Sequence, residues 1–251
     1  MRAYISQNSN YSSVNIVVMP KQIILSPHFD DAVFSCWHLI NQPSSEVITV
    51  FAGVPPDKTS TLWDKLCGQS DSVQMMQKRI EENKSALSAT SNSYRNLDFL
   101  DHQYISTKKD LLQEITDNVL SLASPDSHFF VPLAMGNLWS HPDHIMVREV
   151  GVLLLSRGEK VSFYADVPYM WIPSRLSKKY KERVIKKLGH FFNKDFSVQV
   201  FELNKDEQNN KLLAMKKYRS QYNMTNLVSL GTLKRKANLQ REVYFSPLVT
   251  A

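Results

Sequence analysis

Cysteine, glycine and long apolar runs are all scarce in this 251-residue chain, and each shortage excludes something. The two cysteines, Cys36 and Cys67, cannot build a disulfide framework and fit neither a CxxC pair nor a zinc ribbon. Seven glycines and eleven prolines are too few for a collagen-like or low-complexity chain. No apolar stretch approaches the roughly 20 residues that a membrane helix needs. The start, Met1 to Asn8, is polar and has no hydrophobic stretch of signal-peptide type. With 43% hydrophobic and 22% charged residues the chain reads as globular rather than disordered. These features together predict a soluble, reduced, cytoplasmic protein.

Charge is present but unevenly placed. Residues 1–174 carry 13 Lys and Arg against 18 Asp and Glu, a net of −5, whereas residues 175–251 carry 17 against 6, a net of +11. Basic runs lie at 175–187, at Lys216-Lys217-Tyr218-Arg219 and at Lys234-Arg235-Lys236. Such asymmetry attracts anions, and it equally describes well-solvated helix faces. The basic run contains no nucleic-acid-binding motif, so no nucleic-acid partner is expected.

Along the chain, short apolar runs alternate with amphipathic ones. Strands are predicted at 21–26, 46–51, 96–100, 128–133 and 162–165, with helices at about 31–41, 71–90, 111–122 and 145–154. Strand, helix, strand, helix in this order predicts an α/β fold, a mostly parallel sheet between two helical layers. We expect one domain over 1–251, with an N-terminal extension at 1–20 and the basic part 175–251 belonging to the same unit. In such sheets ligands bind beyond the carboxyl ends of the strands.

Two such strand ends carry imidazole beside carboxylate. Ser26-Pro27-His28-Phe29-Asp30-Asp31-Ala32 follows the first strand, and His141-Pro142-Asp143-His144 follows the fourth. Either corner could be ordinary helix capping: Asp30 or Asp31 in the first, a Ser140/Asp143 capping box in the second. Two histidine-bearing corners at adjacent strand ends are better suited to a catalytic metal, which takes three such ligands and keeps one position open.

Pro27-His28-Phe29-Asp30-Asp31-Ala32 resembles the Pro-His-Pro-Asp-Asp-Glu signature of the N-acetylglucosaminyl-phosphatidylinositol de-N-acetylases, the PIG-L or LmbE-like deacetylases, and His141 to His144 resembles their His-Pro-Asp-His signature. Phe51-Ala52-Gly53, Lys78 to Glu82 and Leu97 to Asp101 are similar to further family features, with a looser likeness at Lys216 to Gln221. Phe29 stands where the family has proline, and Ala32 where it has a supporting glutamate.

The resemblance implies a single three-layer Rossmann-like domain that holds zinc through His28, Asp31 and His144; iron or manganese suits the same two-His, one-carboxylate set. It implies that Asp30 is the general base, that His141, held by Asp143, donates a proton or hydrogen bond, and that Arg79 and Asp101 hold the sugar. The implied activity is removal of an N-acetyl group from an amino sugar or glycoconjugate, for a bacterial sugar-containing metabolite or cell-surface glycan. The substrate would be small, and anionic if the basic third faces the site; a homo-oligomer is compatible. The alternatives are hydrolysis of another amide or an ester by the same centre, or a sugar-binding protein without turnover, at which Ala32 hints.

For single residues two readings stand. Arg79 pairs with Glu81 and Glu82 on its own helix, or meets substrate; Asp101 shapes a loop turn, or meets substrate. Gly53 serves close backbone approach or a turn. His38, Met75 and Met76 read as packing, and Trp171, Tyr218 and Tyr222 as core aromatics that could also stack on a sugar.

Overall fold

The computed structural model describes residues 4–5, 16–17, 20–90, 92–105, 110–135, 141–169 and 178–248. Its strands are β1 (Tyr4–Ile5), β2 (Ile16–Val17), β3 (Gln22–Ser26), β4 (Ser45–Thr49), β5 (Ser93–Asn96), β6 (His128–Pro132), β7 (Lys160–Tyr164), β8 (Phe196–Glu202) and β9 (Arg241–Pro247). The helices are α1 (Asp31–Ser35), α2 (Trp37–Ile40), α3 (Leu62–Leu66), α4 (Ser72–Leu87), α5 (Leu112–Ser121), α6 (Pro142–Ser156), α7 (Lys178–Phe192), α8 (Lys205–Met215), α9 (Arg219–Val228) and α10 (Lys236–Gln240). β1 and β2 form a small antiparallel pair of their own.

The other seven strands form one sheet in the order β5-β4-β3-β6-β7-β9-β8. The pairings from β5 through β7 are parallel; β7 with β9 and β9 with β8 are antiparallel. The expected mostly parallel α/β sheet is therefore present, closed on one side by an antiparallel pair that lay outside the sequence expectation. Both faces of the sheet are buried. On β3, Ile24 joins a core with α1, α2, α4, α8 and α9, while its neighbours Ile23 and Leu25 join another with α5, α6 and α7. This two-residue alternation of buried side chains on a strand covered on both faces produces the three layers.

Strand order reverses between β3 and β6, where the chain first builds outward to β5 and then returns to the other side of β3. At such a switch point the two following loops diverge and leave a crevice. The loops after β3 and β6 are the two histidine corners.

Two predicted elements differ in detail. The helix expected at about 31–41 breaks at Cys36, whose backbone (φ −132, ψ 30) is not helical. A tertiary contact causes the break: the Glu242 carboxylate of β9 accepts the N–H groups of Trp37 (2.7 Å) and His38 (2.9 Å), so α2 begins afresh. The strand expected at 96–100 instead spans Ser93–Asn96. Beyond it, Leu97 N–H still bonds Thr49 O (2.8 Å), and Gly53 N–H bonds Phe99 O (2.9 Å). A Cβ on Gly53 would lie 2.9 Å from Asp98 O, so this glycine serves close backbone approach, between two segments of the chain itself.

Candidate active site

Ser26, the last residue of β3, sets up the first corner. Its Oγ donates to His28 O (2.5 Å) and accepts Ala32 N–H (2.9 Å), giving α1 its capping bond. Asp30 sits at the N-cap position but makes no side-chain capping bond, so its carboxylate is left to face the cleft. Asp31 turns inward and accepts His28 N–H (2.8 Å). Phe29, in place of proline, is buried in the core and anchors the loop by packing.

At the second corner His141 is the N-cap residue of α6, its Nδ1 accepting Asp143 N–H (3.3 Å), and Pro142 follows at the first helical position. The Ser140 half of the expected capping box lies outside the described residues. Gly151 lets α6 settle deep on β6: a Cβ there would lie 2.5 Å from Val131 Cγ2.

The two corners meet on Asp31. Its Oδ2 is 3.3 Å from His28 Nδ1 and 3.1 Å from His144 Nε2. The outer nitrogens of both imidazoles face other carboxylates, His28 Nε2 at 2.9 Å from Asp143 Oδ2 and His144 Nδ1 at 2.9 Å from Asp166 Oδ2. With one proton per ring, each donates outward and turns a bare nitrogen toward Asp31. His144 Nε2 is buried and has no hydrogen-bond partner.

This geometry fits a metal ion. Ligand bonds of about 2.0–2.2 Å in a tetrahedral site put neighbouring donor atoms about 3.3–3.5 Å apart. The donor separations around Asp31 are close to that, and imidazoles oriented by outer carboxylates are the usual arrangement at metal centres. Asp101, His141 and Asp143 gather around the far side of His28, where Asp101 Oδ2 is 3.7 Å from its Nε2.

Electrostatics point the same way. Burial opposes ionisation of Asp31, but His144 and His28 outweigh it and hold the carboxyl well below the usual range. Burial likewise works against charge on His144, yet Asp31 and Asp166 raise it to about 9; Asp143 and Asp31 raise His28 well above its ordinary value. A field that draws protons onto two buried imidazoles also favours a cation that replaces them. Burial, reinforced by Asp31, raises Asp30 to about 6. Burial and the neighbouring His28 lower His141 to about 3, leaving it neutral, and because its Nδ1 accepts a hydrogen bond its proton resides on Nε2.

The corners open into a cleft of about 290 Å³ whose walls include Asp30, Trp63, Arg79, Tyr169, Gln221 and Val228. Arg79 does not pair with Glu81 or Glu82; its Nη2 donates to Gln221 Oε1 (2.8 Å), and its guanidinium lies 3.5 Å from Asp64 and 3.8 Å from Asp101. Glu82 instead accepts Ser220 N–H (2.9 Å) and Ser220 Oγ–H (2.6 Å). Asp101 makes the expected turn, accepting Gln103 N–H (3.0 Å), and its carboxylate also faces His28 and Arg79. Asp143, expected to hold His141, is closer to His28; its Oδ2 is 3.6 Å from His141 Nδ1. Tyr218 and Tyr222 are core residues, with Tyr218 also on the cleft wall; Trp171 lies outside the described residues. His38 stacks on Phe201 at 4.2 Å, and Met75 and Met76 are fully buried, as their packing roles require. Among the described residues, Arg79 is the one lysine or arginine lining the cleft, and the basic C-terminal third supplies none.

Asp166 and Gln221 were not foreseen as site residues. Asp166 follows β7 at a third strand end, the place where the sheet rule directs attention, but without a histidine beside it. Gln221 lies at the edge of the loose likeness around 216–221, with no pattern of its own.

The chain is similar to known proteins in sequence and in fold. The chain is 26% identical over 184 residues to the 2'-N-acetylparomamine deacetylase of Niallia circulans, a match spanning 59% of this chain and 66% of that enzyme. The fold is shared with the zinc-inhibited form of a teicoplanin deacetylase (TM-score 0.68, 20% identity, 92% of this chain and 100% of that one). It is shared more loosely with the N,N'-diacetylchitobiose deacetylase of Pyrococcus horikoshii (TM-score 0.51, 16% identity, 85% and 75%). Residues 23–155, more than half of the chain and including both corners, match the family described as GlcNAc-PI de-N-acetylase, and the chain belongs to this PIG-L family.

Proposed function

We propose that this chain is a metal-dependent hydrolase that removes the N-acetyl group from an amino sugar carried on a glycoconjugate. The observation that carries the reading is His144 Nε2, buried without a hydrogen bond and 3.1 Å from Asp31 Oδ2, while Nδ1 lies 2.9 Å from Asp166 Oδ2. The deacetylase relatives and the family support the choice of an acetamide as the bond cleaved. His28, through Nδ1, Asp31 and His144 would hold the ion, with zinc as the first candidate. Such an ion supplies Lewis acidity, polarising a carbonyl and lowering the pKa of water from about 15.7 to near 7.

The remaining work falls to this chain's side chains. Asp30, with a carboxyl raised to about 6 and no capping duty, takes a proton from the attacking water. His141 presents Nε2–H, suited to the oxyanion that develops as water adds to the amide carbon. Protonation of the nitrogen by the carboxyl of Asp30 then lets the C–N bond break, releasing acetate and a free amine. Arg79 and Asp101 hold the sugar, and Gln221 holds Arg79. We further read residues 20–248 as one folded unit, because the parallel and antiparallel strands share one sheet. No helix among the described residues is long and apolar enough to cross a membrane.

The test is acetate release from a panel of N-acetylated amino sugars and their glycosides. Zinc is titrated from below one equivalent to excess, since a related fold is known in a zinc-inhibited form. Release that requires metal is the expected result. Metal and sugar binding without acetate at any zinc level would identify a binding protein and refute the hydrolase.

A further inference from the structure

Away from the metal corner the cleft wall changes character. Near His28 it is charged; farther out it is formed by Trp63 of α3 and by Thr225 and Val228 of α9. Gln221 joins the two regions, its Oε1 accepting from both Arg79 Nη2 (2.8 Å) and Trp63 Nε1 (3.0 Å). On α9, Gln221, Thr225 and Val228 follow one another at steps of four and three residues, so one stripe of the helix runs from the guanidinium outward. α3, α9 and the turn after α9 also carry Leu62 (74% exposed), Leu66, Leu227 and Leu230 (83% exposed). With Val228 these are five of the ten exposed large apolar side chains among the described residues. Single exposed leucines need no explanation, but half of them on the elements that wall one cleft do.

We propose that this surface is a subsite for an apolar aglycone, alkyl or aryl, attached to the amino sugar; the proposal rests on the deacetylase reading above. The stripe begins inside the cleft, at Thr225 and Val228, where a substituent of the bound sugar reaches. Among the described residues, no lysine of the basic third lines the wall. The acetamide would lie at the metal corner, the sugar beside Arg79 and Asp101, and the aglycone against Trp63, Val228 and the leucines beyond.

The experiment uses the full chain loaded with zinc and two sets of glycosides: methyl, hexyl and phenyl glucosaminides for equilibrium binding, and their N-acetyl forms for turnover. Hexyl and phenyl glucosaminides should bind at least about tenfold more tightly than the methyl compound, a difference of about 1.4 kcal/mol. For the N-acetyl forms the same ratio should appear in KM rather than kcat. The double variant Leu62→Asp with Leu227→Asp, at exposed positions, should bring the ratio below about threefold at unchanged zinc content. A wild-type ratio near one, or a ratio untouched by the double variant, overturns the proposal. So does co-sedimentation with phosphatidylcholine vesicles that the double variant abolishes while the short glycosides show no preference, since a lipid surface is then the occupant. The binding ratio does not depend on hydrolysis. An intact ratio without acetate release would sink the deacetylase reading alone, and acetate release with a ratio of one would sink the subsite alone.

Discussion

Replacing Asp166 by asparagine and, separately, by alanine separates metal binding from stability. Asp166 is fully buried; Oδ2 accepts from His144 Nδ1 (2.9 Å) and Oδ1 from Ala134 N–H (3.0 Å), on the segment that leaves β6 toward the second corner. Alanine orphans both donors. Each buried unsatisfied group costs about 1–3 kcal/mol, so the metal-free protein should lose about 2–6 kcal/mol. Asparagine keeps one acceptor and must turn its NH2 toward the other donor, so about 1–3 kcal/mol should be lost. If the NH2 meets His144, it forces Nδ1 to become the acceptor and moves the ring proton to Nε2, where it blocks a ligand position. Loss of such an outer partner typically weakens metal binding about 10–100-fold. Asparagine should therefore match or exceed alanine in lost zinc affinity, read by chelator competition, while costing less in metal-free melting temperature. Zinc binding within threefold of wild type in both variants would refute the assignment of His144 as a ligand oriented by Asp166.

Asp30→Asn should keep its zinc and lose activity by about two to four orders of magnitude, whereas Asp31→Asn should lose zinc; normal turnover in Asp30→Asn would remove it as the base. His128 is held at about 4 by burial and by Lys160, while its Nε2 lies 2.8 Å from Ser162 Oγ. Because this folded value lies below the free value of about 6.5, the unfolded chain binds the extra proton. The stability His128 allows is whole above pH 6.5 and falls between about 6.5 and 4, by at most about 3 kcal/mol. Melting temperatures at pH 7 and 5 should differ less in His128→Gln than in wild type, and equal differences would contradict the shift. Gly151→Ala should cost about 1–3 kcal/mol by overpacking against Val131, and Val131→Ala should restore part of it. Strict additivity in denaturant unfolding would show that the two side chains do not collide.

The sequence by itself determined the parts of this protein whose signals are local. Apolar runs such as Ile23-Ile24-Leu25 and the amphipathic stretch of α5 declare strand and helix through near neighbours, and their alternation declares the layered fold. His28, Asp30, Asp31, His141 and His144 were legible because each corner places its chemistry within a few residues of a strand end. Tertiary structure alone decided what those groups do to one another. That β3 and β6 are adjacent, so that Asp31 stands between two imidazoles, depends on strand order. Asp166, Gln221 and Glu242 are isolated polar residues in sequence, and each acquires a role from a partner on a distant element. The break at Cys36 has the same origin. Helix and strand propensity act over a few residues, whereas burial and hydrogen-bond pairing are settled by whatever the fold brings alongside.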